Sequence, residues 1–169
     1  MTRLPMRSFV CGVVAMASIV AAPVRPAVAQ GSAGLLPLVS LTAVDGSVVT
    51  TGTLTQPRPW LLVIAQQPCR SCEATLAVLD AVVSAEIAAR MAIVLSGASA
   101  AESAGLRGRY RNLASASWYR DDARAALPAL GVGGSPIVVG LIGNTILWTR
   151  NVAAMSAGDL ESLVTSWIR

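Results

Sequence analysis

A chain of 169 residues that is 54% hydrophobic and 13% charged has room for one domain with a filled core, and this composition excludes a disordered class. The formal charge of +4 overstates its basic character. Arg3, Arg7 and Arg25 fall in an N-terminal segment expected to be removed, leaving ten of the 13 basic residues against nine acids, which is no electrostatic footprint for nucleic acid. With no histidine anywhere, a Ser-His-Asp arrangement is excluded.

In chain order, "MTRLPMR" supplies positive charge, "FVCGVVAMASIVAA" is an apolar run of 14 residues, and "AVA" at 27–29 offers a small-x-small cleavage site. Together they read as a secretory signal over 1–29. The run is short for a membrane span, which needs about 20 residues; an uncleaved anchor is the alternative. Cys11 lies inside the run with no small-residue site before it, which argues against a lipid-modified cysteine. Cleavage after Ala29 removes Cys11 and leaves Cys69 and Cys72 as the cysteines of the mature chain, in a compartment where disulfides persist.

Residues 30–36 read as a flexible lead-in to a domain over 37–169. "LVSLTAVDGSVVT" alternates around Asp45-Gly46, a strong hairpin signal, and "TLTQPRP" is a loop. "WLLVIA" (60–65) has the length and continuous apolarity of a strand buried on both faces. From Cys72 to Arg90 the pattern is helical, with Leu76, Leu79, Val83 and Ile87 on one stripe. "MAIVLS" (91–96) is a second buried strand. "ASAAESAGLRGRYRN" predicts a helix ending near Gly105 or Gly108, and "ASWYR" (116–120) a third strand. Asp121 and Asp122 suit the N-terminus of a helix over "ARAALPALG", which Pro128 should cut short before Gly131. "PIVVGLI" and "TILWTR" flank Gly143-Asn144 as a hairpin. Ser156 caps a last helix whose Leu160, Leu163, Val164 and Trp167 share a face. This order implies an α/β sandwich with a mixed sheet; no internal repeat or low-complexity segment is present.

The chemistry lies in "PCRSC" (68–72). Cys69 falls where a buried strand ends and a helix begins. The first helical turn has unpartnered N–H groups and the positive end of the dipole, both of which favour a thiolate; such thiols have pKa values lowered to about 3.5–7.5. Arg70 adds a neighbouring positive charge. Cys72, one turn on, is within bonding reach and more deeply buried. The pair therefore suits disulfide exchange, with Cys69 attacking or attacked and Cys72 resolving. Other readings stay open. A staple closing so small a loop removes little unfolded-state entropy. Structural zinc needs four ligands, and there is no histidine or second CxxC. Two thiolates can hold Cu(I). A peroxidatic cysteine needs polar helpers that "VIAQQP" lacks. "GVGGSP" fails as a dinucleotide loop because no helix-like run follows it.

"WLLVIAQQPCRSCEATLAVLDAV" resembles the active-site strand and helix of thioredoxin-like proteins. "LTAVDGSVVTTGTL" is similar to the leading hairpin of their secreted branch, and "WYRDDARAALPALGVGGSPIVVGLIGNTILWTRNV" to its second half, so that the resemblance covers roughly residues 37–168. It implies an α/β thioredoxin-like fold: a central mixed β-sheet flanked by helices, with an N-terminal β-hairpin. It also implies that Pro136 has a cis peptide bond and lies beside the cysteines, and that Ser135 offers backbone groups to an extended partner. Independently, proline is tolerated at the start of a strand, and X-Pro is the bond type that goes cis.

Two departures stand out. The aromatic residue usual before the first cysteine is Pro68 here, which suits the start of a helix but alters the surface a partner touches. The buried acid many relatives carry is replaced by Val63, which predicts slower resolution by Cys72 or another route. Glu73 is the nearest acid in sequence.

The function these readings imply is that of a periplasmic thiol–disulfide oxidoreductase without a cofactor or metal. Its redox-active and catalytic pair is Cys69 and Cys72, and Ser135, Pro136, Pro68 and Arg70 form the substrate-binding surface. Its partners are exported proteins with cysteine pairs and a membrane thiol electron carrier, as in cytochrome c maturation, with no nucleic acid or dinucleotide. The alternative is a non-enzymatic Cu(I)-binding or chaperone-like module of the same fold. "RGRYR" (107–111) reads either as a solvated helix end or as a docking patch for an acidic partner.

Overall fold

The computed structural model describes residues 34–169. The secretory segment, its cleavage site and Cys11 lie outside the described residues.

The run 60–65 becomes the axis of the sheet. Strand β4 (Trp60–Gln66) pairs in parallel with β5 (Met91–Ser96) and antiparallel with β7 (Ile137–Ile142). With β1 (Gly34–Leu35), β2 (Ser40–Ala43), β3 (Val48–Thr50), β6 (Ser117–Asp121) and β8 (Thr145–Asn151), the order across the sheet is β1-β8-β7-β4-β5-β6-β2-β3. Of the neighbouring pairs, β4–β5 and β5–β6 are parallel and the rest antiparallel.

Side chains alternate across a strand, so β4 serves two cores. Leu61, Val63 and Ala65 face one, together with α1 (Arg70–Val82), α3 (Ala100–Arg109) and α5 (Ala157–Ile168). Trp60, Leu62 and Ile64 face the other, with Leu36, Val39, Leu41 and the one-turn helix α4 (Ala126–Ala129). Burial on both faces explains why β4 and β5 read as unbroken apolar runs. Leu76 and Leu79 of α1 are fully buried, each contributing about 2 kcal/mol.

Four details differ from expectation. The lead-in is paired at its end: β1 pairs with β8, Leu36 donates its N–H to Asn144 O at 2.8 Å, and the Leu36 side chain is buried. Edge groups of β8 find partners there that water would otherwise supply. The helix expected over 72–90 is broken. Val83 is extended, and Ser84 accepts from Ile87 N to cap a separate short helix, α2 (Ala85–Ala88). Serine competes for backbone groups and so prefers a cap to a helix interior. Helix α3 runs through both Gly105 and Gly108 to Arg109, because the Ser99–Glu102 capping box and buried Leu106 outweigh the glycine penalty of about 1 kcal/mol each. Finally, Pro128 lies within α4, in the first turn, where a missing N–H costs nothing.

Both expected hairpins are present. β2 and β3 meet through Asp45-Gly46, with Gly46 at φ +85°, and β7 and β8 through Gly143-Asn144, with Gly143 at φ +55°. These left-handed positions are where glycine has no steric penalty.

Candidate active site

β4 ends at Gln66 and α1 begins at Arg70, so Cys69 is the N-cap of α1. Its Sγ accepts from Cys72 N at 3.2 Å and lies 3.2 Å from Ser71 Oγ. Cys69 and Cys72 form a disulfide across one helical turn. Cys72 is fully buried among Leu76, Val63 and their neighbours, whereas Cys69 is partly open to solvent. Only Cys69 is therefore presented to an incoming sulfur.

Pro68 is exposed and precedes the N-cap, so it is not part of the helix as expected; the Gln67–Pro68 bond is cis. With Pro68 outside, the helix keeps all its N-terminal donors around Cys69. Arg70 occupies the first helical position and is exposed.

The loop before β7 meets this helix end. The Ser135–Pro136 bond is cis, Pro136 is buried, and Ile137 opens β7. Ser135 Oγ lies 3.1 Å from Cys72 Sγ, accepts from Gln66 N at 2.8 Å, and is 3.2 Å from Ile64 O. A hydroxyl has one hydrogen and two lone pairs. With Gln66 N donating in, that hydrogen can serve Ile64 O or Cys72 Sγ, but not both at once.

Glu73, the acid nearest in sequence, turns to Arg109 at 3.0 Å, while Tyr110 donates to Glu73 O at 3.1 Å. Both partners of the ion pair are about half exposed, so the pair contributes little stability but engages the Glu73 charge. The position of Val63 is wholly apolar. Among the described residues the one buried acid is Asp121, two strands away at the end of β6. It accepts from Ser96 Oγ at 3.0 Å and from Ala125 N and Ala126 N at 2.9 Å each. Its capping role follows from its place before a helix; its burial does not.

Sequence reasoning missed Arg124. It adopts φ +55°, lays its guanidinium over Gly97, and donates from Nη2 to Gln67 O at 3.4 Å, two residues before Cys69. No local pattern marks a left-handed arginine. Ser135's side-chain contact with Cys72 was also invisible, since 63 residues separate them.

No protein-family model and no curated protein matches this chain. Solved structures do. DsbF of Mycobacterium tuberculosis shares 18% identity at TM-score 0.59, over 76% of this chain and 93% of its own. A secreted disulfide oxidoreductase of the same organism, homologous to E. coli DsbE, shares 19% at 0.57, over 75% and 94%. The thioredoxin domain of a thiol-disulfide oxidoreductase from Bacteroides vulgatus shares 13% at 0.62, over 80% and 96%. The chain thus has a thioredoxin-like fold, with a CxxC disulfide at the start of its first long helix. Among the described residues no helix is long and apolar enough to cross a membrane.

Proposed function

We propose that this protein is an exported, periplasmic thiol–disulfide oxidoreductase whose substrates are cysteine pairs of other exported proteins. The observation that carries the reading is the Cys69–Cys72 disulfide at a helix N-cap, one sulfur open and the other buried against Ser135.

In the oxidising direction a partner thiolate attacks Cys69 Sγ. The Cys69–Cys72 bond breaks, the electron pair leaves on Cys72 Sγ, and a mixed disulfide with Cys69 remains. A second partner thiolate then attacks the partner's sulfur and releases Cys69 as a thiolate stabilised by the helix end. In the reducing direction the same steps run backwards: Cys69 attacks, Cys72 resolves, and a membrane thiol carrier restores the dithiol. The backbone of Ser135, beside the cysteines, pairs with the extended partner chain; Pro136, Pro68 and Arg70 complete the contact surface.

Ser135 Oγ supplies Cys72 with a hydrogen bond but, as an alcohol, does not take its proton, which passes on resolution to the departing partner thiolate. When Cys72 is a thiolate, the hydroxyl turns to donate to it. When Cys72 is a thiol, the S–H donates to Oγ and the hydroxyl hydrogen goes to Ile64 O. Either protonation state is hydrogen-bonded without an ionisable neighbour.

The test is exchange with a protein disulfide substrate. Cys69→Ser abolishes turnover, and Cys72→Ser accumulates a mixed disulfide through Cys69. A reduced protein that exchanges nothing but binds one Cu(I) tightly would instead support the copper-binding module.

A further inference from the structure

The fold splits the stretch RGRYR into two parts. Arg109 and Tyr110 clamp α3 onto the first turn of α1 through Glu73. Arg107 and Arg111 instead line a cavity of about 500 Å³ between α3, the β2–β3 turn and β6. That volume falls within the range of roughly 300–1,000 Å³ typical of small-molecule sites.

Three features define its chemistry. The first is charge. Arg107, Arg111 and Arg120 all line the cavity. Arg120 is bonded to Asp122 at 3.3 Å, whereas Arg107 and Arg111 pair with no carboxylate among the described residues. The second is shape. Ala100, Ala104 and Gly108, one turn apart along α3, form a low wall. Trp118 lies nearly buried on another side, its indole N–H already committed to Leu113 O. The third is a free donor. Ser103 lines the cavity, and its hydroxyl, which makes no hydrogen bond to another group among the described residues, is available to a polar atom of a guest. A second hollow of about 460 Å³ shares Val44, Arg107 and Trp118 and continues past Asp45. The Asp45 carboxylate there, bonded to Ser47, disfavours a negative head at that end.

We propose that this cavity binds a small amphiphilic monoanion of the alkyl carboxylate class. Its head is held by Arg107, Arg111 and the Ser103 hydroxyl, and its apolar body lies against Val44, Ala104 and Trp118. The site is separate from the cysteine pair and does not depend on the redox reading.

The probe is decanoate below its micellar concentration, titrated into the oxidised protein by calorimetry, beside decanol and decyltrimethylammonium. Decanoate binds at 1:1, decanol at least about tenfold more weakly, and the cation not measurably. The double variant Arg107→Gln/Arg111→Gln weakens decanoate at least about tenfold. Ala104→Leu, at an exposed helical position, fills the cavity and removes binding with the charges intact; thermal melts confirm that both variants fold. The proposal is overturned by absence of saturable binding, by equal binding of the three probes, or by variants that bind as the parent does. Disulfide exchange is unaffected by either variant, so failure here leaves the proposed function standing.

Discussion

At the scale of single residues, the site depends on one hydroxyl. Ser135 Oγ has three neighbours and one hydrogen to give. A hydrogen bond to a charged group contributes about 1.5–3 kcal/mol, so its loss is large on a kinetic scale. Ser135→Ala is expected to slow steps in which Cys72 is a thiolate by about tenfold or more. Stopped-flow resolution of a preformed mixed disulfide measures this. Ser135→Thr keeps the hydroxyl and should restore the rate. If Ser135→Ala resolves at the parent rate, Ser135 only positions the chain. Cys69 could be placed from the sequence because its setting is local, a strand end followed by a helix start. Ser135's side-chain role could not, because it arises only where the β7 loop crosses the end of β4.

At the scale of elements, helix ends are set by caps that outrank composition. Helix α3 contains two glycines, yet it persists because Ser99 Oγ accepts from Glu102 N at 3.2 Å and Glu102 Oε2 accepts from Ser99 N at 2.7 Å. The Ser99 hydroxyl first, and its N–H second, hold the Glu102 carboxyl below its ordinary value. A lowered folded-state pKa means that this stabilisation is present above the unfolded value of 4.5 and is lost as the pH falls through the folded value. Ser99→Ala should cost about 1 kcal/mol at neutral pH. Glu102→Gln should keep the cap geometry and remove its share of the acid sensitivity, visible as a smaller drop in melting temperature between pH 6 and 3. An unchanged slope would show that the box is not formed in solution. The motif Ser-x-x-Glu is legible in the sequence. The break at Val83–Ser84 is harder to read, because the apolar stripe continues across it and only the cap reveals two helices.

At the scale of the whole molecule, the sheet and its helical layer are joined by aromatic packing. Trp148 of β8 stands edge-on to Trp167 of α5, ring centres 5.4 Å apart, and Trp167 Nε1 donates to Trp60 O at 3.0 Å. Gly140 makes room for this: a Cβ built there would collide with the Trp148 indole. Gly140→Ala is therefore expected to destabilise the fold by about 1–3 kcal/mol, measured as a lower urea midpoint. A midpoint equal to the parent's would mean that Trp148 has other room. In the sequence Gly140 interrupts a strand, and the reason appears only across the β7–β8 pair.

The sequence by itself determined most of the element types, the two hairpins, the two doubly buried strands and the place of Cys69 at a helix start, because each depends on periodicity or on chemistry within a few residues. Only the tertiary structure decided that Ser135 meets Cys72, that Asp121 is buried and consumed by three donors, that Arg124 reaches Gln67, and that the arginines of 107–111 face different neighbours. Those contacts join residues far apart along the chain, and their geometry is set by strand order and helix packing, which no local pattern encodes.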